Sequence, residues 1–481
     1  MPSPTQQPLR ILISGFGIAG PAFALSLTHL LPPTFPLSIL IVERSPHLRN
    51  LGQQIDIRGQ GLAAMRSISP TLEAAIRKRL VKEPGLEFID YRTGKRNAYL
   101  GANDSGKGAQ SFSAEWEIMR GSLVDALKEE LEAVKAKHQG IDWKFNTWVE
   151  GFTQPEGASE EEEGGPVKVK FNNGQEQEFD LVVGADGVGS KTRRLLFGSD
   201  NEHEGGTVEL KNVGATMALF SVPPDRQNDG PDARWCNLPG RRVIITRRDS
   251  KDSLRVCLMF LGDDAQIQET LKSGSNGNAE EQKQAWANKF YDPSSPDTGT
   301  HWLSHRFIHA LLHSPDFSSD FWAQELIQVK ASAWSNKQRN VVLLGDAAHC
   351  PSVLTGAGTT SAFIGAYVLS NELAKALLTT TSSSPNSNAS PYASQISLAL
   401  KKYDQTFRPF ATYIQSILPP PSLLKTFIPQ TTFGIRILNN FLWVLLTVLR
   451  IDRIVAYLAR FFSSPSSPLG DNYGKWELPK Y

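Results

Sequence analysis

One stretch near the N-terminus, from Leu9 to Val42, constrains this chain more than any other. Leu9–Ser14 (LRILIS) is short and apolar, the pattern of a buried parallel strand. Gly15–Gly20 follows. Pro21–Leu31 then reads as a helix, ended by Pro32-Pro33. Leu37–Val42 (LSILIV) is a second buried strand. Strand, glycine turn, helix and strand form a βαβ unit, whose crossover is right-handed. The expected fold class is α/β.

The turn Gly15-Phe16-Gly17-Ile18-Ala19-Gly20 has the form G-x-G-x-x-G. In this setting the first glycine makes the tight turn and the second lets a pyrophosphate approach the backbone. The third lets the helix pack on the sheet. The amides at the helix N-terminus then face the phosphates. The match alone is weak, and its place between strand and helix is what gives it weight. Glu43 ends the second strand, where a carboxylate can accept hydrogen bonds from both hydroxyls of an adenosine ribose. The plainer alternative is a solvated charge at a strand end. A 2′-phosphate would be repelled there. These residues point to FAD or NAD and do not separate them.

Two later motifs share one form. Gly184-Ala185-Asp186-Gly187-Val188-Gly189-Ser190 follows the apolar run Phe179–Val183, with Arg193 just beyond. Gly345-Asp346-Ala347-Ala348-His349 follows Asn340–Leu344 and leads to Gly356-Ala357-Gly358-Thr359. A single aspartate after a strand can simply cap the next helix. Two of them, each flanked by glycine and each ending a β-run, are harder to dismiss.

With these three motifs in this order, residues 9–378 resemble class A flavoprotein monooxygenases of the para-hydroxybenzoate hydroxylase fold. The texture is most similar to the branch of tetracycline-inactivating enzymes and natural-product hydroxylases. The resemblance implies an FAD-binding Rossmann-like domain, an inserted antiparallel-sheet substrate domain and C-terminal helices. It places the FAD-binding parts at 1–75, 111–200 and 336–378, the substrate-domain parts at 76–110 and 201–335, and a helical cap and tail at 379–481. It puts Gly15, Gly17 and Gly20 on the dinucleotide fingerprint and Glu43 on the ribose-binding acid. Arg120 matches an arginine that contacts FAD, and Asp186 an acid implicated in FAD and NAD(P)H binding. Asp346 matches the acid that holds the ribityl chain. Gly356, Gly358 and Thr359 match the loop passing the isoalloxazine ring, and Asp56 is similar to a flavin-proximal position. In the family a proline often follows the GDAAH segment directly. Here Cys350 precedes Pro351, so a shifted loop is expected.

The resemblance also implies an activity. NADPH or NADH reduces FAD, O2 adds to give a flavin C4a-hydroperoxide, and one oxygen atom passes to a small organic substrate. The implied substrate is an aromatic or polyketide-like natural product. A flavin reductase or dehydrogenase of the same fold is the alternative, because fold does not dictate chemistry. No side chain is assigned as a catalytic acid or base, and His349 and Cys350 read as structural residues.

Helices are expected around Leu72–Lys82 and at Arg120–Lys137, the latter strongly amphipathic. Trp143–Gly151 and Val167–Phe171 read as paired strands, with a solvated tip at Gln154–Pro166 that carries Glu160–Glu163. Val208–Val222, Arg234–Arg247 and Leu254–Leu261 are strand-like, and Gln282–Phe290 and Phe307–His313 helix-like. Phe220, Trp235 and Phe260 are candidates for a substrate wall, with core packing the plainer role for each. Thr379–Ser394 and Ser463–Pro468 read as loose loops. Phe433–Phe462 is strongly apolar, but its longest run free of charge, Ile437–Leu449, has 13 residues. A bilayer-spanning helix needs roughly 20. Docked helices are the favoured reading there, and a membrane-surface helix is the alternative.

Composition excludes several partners. Lys+Arg total 50 and Asp+Glu 49, so no basic excess is available for nucleic acid. Cys236, Cys257 and Cys350 are odd in number and widely spaced, without disulfide or metal-ligand spacing. A reducing, cytoplasmic setting is expected, and the N-terminus lacks the basic start of a signal peptide.

Overall fold

The computed structural model describes residues 7–48, 52–101, 116–137, 140–153, 165–198, 208–225, 227–250, 252–272, 279–291, 302–314, 319–336, 340–379, 390–418, 420–450 and 476–481. The expected tip at 154–164, most of the loop after Thr379, the Ser463–Pro468 loop and residues 451–462 lie outside these.

Five parallel strands build the first sheet, in the order Val341–Leu343, Leu181–Gly184, Leu9–Ser14, Leu37–Val42 and Ile141–Lys144. Their runs are apolar throughout because both faces are covered. Ile11, Ile13, Ile39, Ile41 and Val183 face a core shared with helices Ala19–Leu30, Arg120–Lys135 and Gly358–Thr379. Leu12, Leu40, Val42 and Val182 face Val149, Val167, Phe171 and Phe179 of a three-stranded sheet. Among the described residues the last strand in the chain, Val341–Leu343, lies beside one more than 150 residues earlier.

Trp143–Gly151 is not one strand. Ile141–Lys144 pairs in parallel with Leu37–Val42, and Val149–Thr153 pairs with Val167–Phe171. Between them Asn146 turns the chain at φ 52°, with its amide bonded to the Ser45 carbonyl. Asparagine tolerates this left-handed conformation better than most residues.

Seven strands build the second sheet, ordered Trp322–Ala331, Val208–Val222, Leu254–Leu261, Arg242–Arg248, Ala233–Leu238, Gly85–Ile89 and Arg96–Gly101. It is antiparallel except where Gly85–Ile89 lies parallel to Ala233–Leu238. That strand comes from far upstream and is not joined to its neighbour by a hairpin. One face of this sheet packs on helices Ala265–Lys272, Ala279–Phe290 and Trp302–His313. The other carries Met217, Leu219, Val243 and Met259, and meets Leu354 and Leu424. A two-stranded ribbon, Gln54–Asp56 with Glu117–Met119, meets the second sheet where Arg247 approaches Glu117.

Helix Ala393–Ser416 packs along Gly358–Thr379 and buries Tyr403, Phe407 and Phe410 beside Trp334. After it, Thr432–Trp443 continues as a π-turn, Val444–Val448, against the edge strand Arg96–Gly101. Docking is one-sided here: Leu438, Leu442 and Leu446 are buried, whereas Phe433, Ile437 and Phe441 are exposed.

Candidate cofactor and substrate site

The loops that follow the carboxyl ends of the parallel strands lie close against one another. Gly15 leaves its strand at φ +115°, and a Cβ there would lie 2.3 Å from the Ala185 carbonyl oxygen. Only glycine lets the first and second motif loops close to this distance. At Gly20 a Cβ would lie 2.4 Å from the Gly15 carbonyl oxygen, so helix Ala19–Leu30 can start directly against the turn.

Arg120 opens helix Arg120–Lys135, with its amide bonded to the Gln53 carbonyl at 3.1 Å. Its side chain runs past two glycines. A Cβ on Gly52 would lie 3.0 Å from its Cδ, and one on Gly17 would lie 3.6 Å from Nη2. On the far side Asp346 opens helix Asp346–His349, and a Cβ on Gly358 would lie 4.0 Å from Asp346 Oδ1. Four separate segments thus bring Gly17, Arg120, Asp346 and Gly358 together. These four and Glu43 are half-buried, so together they make a partly solvent-exposed rim. Crowding by protein pushes the Asp346 carboxyl up, while a Cys350 hydrogen bond and the Arg120 charge pull it back.

The other predicted residues take distinct places. Glu43 accepts hydrogen bonds from the amides of Phe16 (3.0 Å) and Ser45 (2.8 Å), which pins it under the glycine turn. Each carboxylate oxygen keeps a lone pair for a further donor. The Asp186 carboxylate folds back on its own loop, accepting from the Ser190 hydroxyl and from both the amide and hydroxyl of Thr192 at 3.0 Å. Its backbone amide lies against Gly15. Gly356 sits at φ +64° before helix Gly358–Thr379, whose first turn buries Thr359. Arg58 donates its amide to Thr360 Oγ1 at 3.2 Å and pairs with Asp56, which brings the Asp56 segment beside that turn.

Arg193, fully buried, ties two motifs together by donating to the Ala347 carbonyl (3.0 Å) and the Val188 carbonyl (2.7 Å). His349 lies between Trp334 and Phe407, with Nδ1 3.1 Å from the Ser361 hydroxyl. Burial pushes it down to about 3, so its ring is neutral. Cys350 is buried, and burial raises its thiol far above the usual range. Its carbonyl accepts from the Val329 amide at 3.0 Å.

Only one of the three candidate wall aromatics faces this side of the second sheet. Phe220 and Phe260 point into the helix-covered core with Trp286. Trp235, half-buried, lies on the opposite face with Ile245, Met259 and Leu354. Side chains alternate along a strand, so position parity and sheet orientation decide the face.

One polar group escaped the sequence reading. Gln54, Asp56 and Glu117 share one face of the ribbon. The Gln54 amide nitrogen donates to Glu117 and, at 3.3 Å, to Glu83. Arg247 reaches in from the second sheet, 3.7 Å from Glu83 and 3.9 Å from Glu117. Burial pushes Glu83 up to about 7, against the Arg247 charge, and the Glu117 charge adds to the rise. Burial likewise raises Asp56 despite Arg58. Three carboxylates face two arginines, and burial beside the Glu117 charge favours the protonated form of Glu83. Nothing in the sequence marks these positions as neighbours before the ribbon register is known.

The rim fits FAD by the chemistry of its donors and by its bare backbone. Gly17 and Gly358 leave the backbone open where a side chain would intrude. Arg120 is a cation of the kind a diphosphate requires, Glu43 and Asp346 are acceptors of the kind hydroxyls require, and a 22-residue helix presents its N-terminus.

Comparison with known proteins agrees. Residues 123–387, more than half of the chain, match the FAD binding domain family. The chain is 32% identical over 438 residues to the flavin-dependent monooxygenase eupH of a Phoma species, covering 90% of each protein. It is also 32% identical to the FAD-dependent monooxygenase asL6 of Sarocladium schorii, covering 98% of each. In fold it resembles the tetracycline destructases Tet(55) (TM-score 0.65, 21% identity, 98% and 99% covered) and Tet(51) (TM-score 0.64, 24% identity, 97% and 100% covered). It also resembles CtdE solved with FAD and a substrate (TM-score 0.57, 15% identity, 88% and 90% covered). Through its near full-length likeness to named flavin enzymes and the FAD binding domain it carries, the chain belongs to the FAD-dependent monooxygenases, a family of oxidoreductases.

Proposed function

We propose that this enzyme takes electrons from NADPH or NADH and inserts one atom of O2 into a small aromatic or polyketide-like molecule. The observation that carries this reading is the partly solvent-exposed rim of Gly17, Arg120, Asp346 and Gly358. Bound FAD supplies the redox and oxygen chemistry. The chain's own residues bind, orient and exclude water. Gly15, Gly17 and Gly20 admit the diphosphate, and Glu43 holds the adenosine ribose. Arg120 neutralises phosphate charge, and Asp346 accepts from the ribityl hydroxyls. The backbone from Gly356 to Thr359 takes the electron-rich edge of the flavin, with Asp56 nearby, and Asp186 shapes the loop behind Gly15. The second sheet covers the reaction with its Trp235 face, giving a water-poor chamber. Residues 1–75, 111–200 and 336–378 form the flavin part, 76–110 and 201–335 the substrate part, and 379–481 the cap. A reducing, cytoplasmic setting agrees with the free Cys236, Cys257 and Cys350. Among the described residues no single helix is long and apolar enough to cross a membrane.

The test is the visible spectrum of the purified protein before and after anaerobic NADPH, followed by product analysis under 18O2. A flavin band that bleaches, returns with air and labels the product supports the reading. A reduced or desaturated product without label overturns oxygen insertion in favour of a reductase or dehydrogenase.

A further inference from the structure

The C-terminal helical segment has two apolar sides, and the protein uses only one. Ile435, Leu438, Leu442 and Leu446 recur at helical spacing and are buried, the last three against Phe88, Ala98 and Leu100. Phe433, Ile437, Phe441, Val444 and Val448 recur at spacings of four, four, three and four on the other side. They are open to solvent, Phe433 by 69%, Phe441 by 57% and Ile437 by 54%. More than half of the exposed large hydrophobic side chains among the described residues lie between Leu423 and Leu449. Scattered exposed hydrophobics need no explanation, but a continuous stripe marks a contact surface.

Charge identifies the occupant. From Gln405 to Arg450 the chain has no Asp or Glu, and its charged residues are Arg408, Lys425, Arg436 and Arg450. The last three are exposed around the stripe. A second copy docking on this face would bring these cations against their own images, with no acid in the segment to pair them. An anionic lipid surface meets both needs, because headgroups take the cations and acyl chains take the stripe. Trp443, 47% exposed, suits the interface between them. Helices Pro421–Phe427 and Thr432–Val448 meet at 84°, and the buried side of the second is committed to the edge strand, a contact that a flat seat keeps and a span would break.

We infer that residues 423–449 form a peripheral anchor that seats this protein on an anionic membrane surface. The inference is independent of the proposed reaction. Leu424 of the shorter helix turns inward to the Trp235 face of the second sheet, so the anchor adjoins that face.

The experiment is co-sedimentation of the full chain with vesicles of phosphatidylcholine, alone or mixed with phosphatidylserine. Binding to the mixed vesicles, weakened by salt, is expected. Replacing the stripe with F433S, I437S and F441S should cut that binding roughly tenfold or more while the visible spectrum stays unchanged. The pair K425E and R436E leaves the stripe intact and should abolish the preference for phosphatidylserine. Absence of sedimentation with either vesicle overturns the inference. So does a dimer in solution that the serine variant dissociates without any vesicle binding.

Discussion

The two sheets present their side chains in different ways. In the parallel sheet every site residue sits at or just beyond a strand end, inside a short motif. Gly15, Glu43, Asp186 and Asp346 all follow this rule. In the seven-stranded sheet the residues on the Leu354 side are spread along strand interiors, and their neighbours on the same strands face a separate core. Met217 and Phe220, three positions apart, belong to opposite faces. The parallel sheet has no free face, because helices and a small sheet cover both sides, so ligands meet it only at its ends. The large sheet packs different partners on its two faces, so the direction of each side chain decides what it meets.

The most severe break in this contrast is at Gly15. Gly15→Val forces a side chain into the Ala185 carbonyl at a φ that valine avoids, and should cost ~3 kcal/mol or more. Poor solubility and absent flavin absorbance are expected, and a soluble yellow variant would show that the two loops can move apart. Next, Phe220→Ala should cost about 3–5 kcal/mol by leaving a cavity on the helix side. Urea titration should register this loss while KM for substrate stays put. Trp235→Ala is its mirror, with KM raised and the melting curve little changed. If both variants move the same observable, the two faces are not functionally separate.

Asp346→Ala should weaken FAD retention by roughly tenfold to a hundredfold, as expected when a partner of buried hydroxyls is lost. Fluorescence of released flavin during gel filtration measures it, and full retention would remove Asp346 from the cofactor site. The smallest effect concerns the ribbon. Glu83 has its pKa raised to about 7 from 4.5, so its protonated form is favoured in the folded protein. Stability from this group is present at acid pH and is lost as pH rises from about 4.5 through about 7. Glu117, Asp56, Asp232, Arg58 and Arg247 share that environment, with Gln54 bridging. Glu83→Gln should flatten the melting temperature across that window, and an unaltered slope would assign the pH dependence elsewhere.

Much of the fold was legible because its signals are local. The βαβ start, the amphipathic helix from Arg120 and the strands ending at Gly184 and Leu343 depend on residues adjacent in sequence. The split within Trp143–Gly151 was not legible, because Trp143 and Gly151 pair with different partners that no local pattern specifies. The sides of Phe220 and Trp235 were hidden for a related reason. Alternation shows that two faces exist but not which one meets the helices.

The sequence by itself determined the glycine turns, the acids that follow the strands and the order of the motifs, because backbone sterics and strand ends are set within a few residues. Only the tertiary structure decided that Arg120 runs between Gly17 and Gly52, or that Glu83 and Glu117 share the reach of Arg247. It also decided that the C-terminal helix keeps an apolar stripe in the open. Each of these is a contact between distant segments, and its energy depends on distance and burial that exist only once the chain has folded.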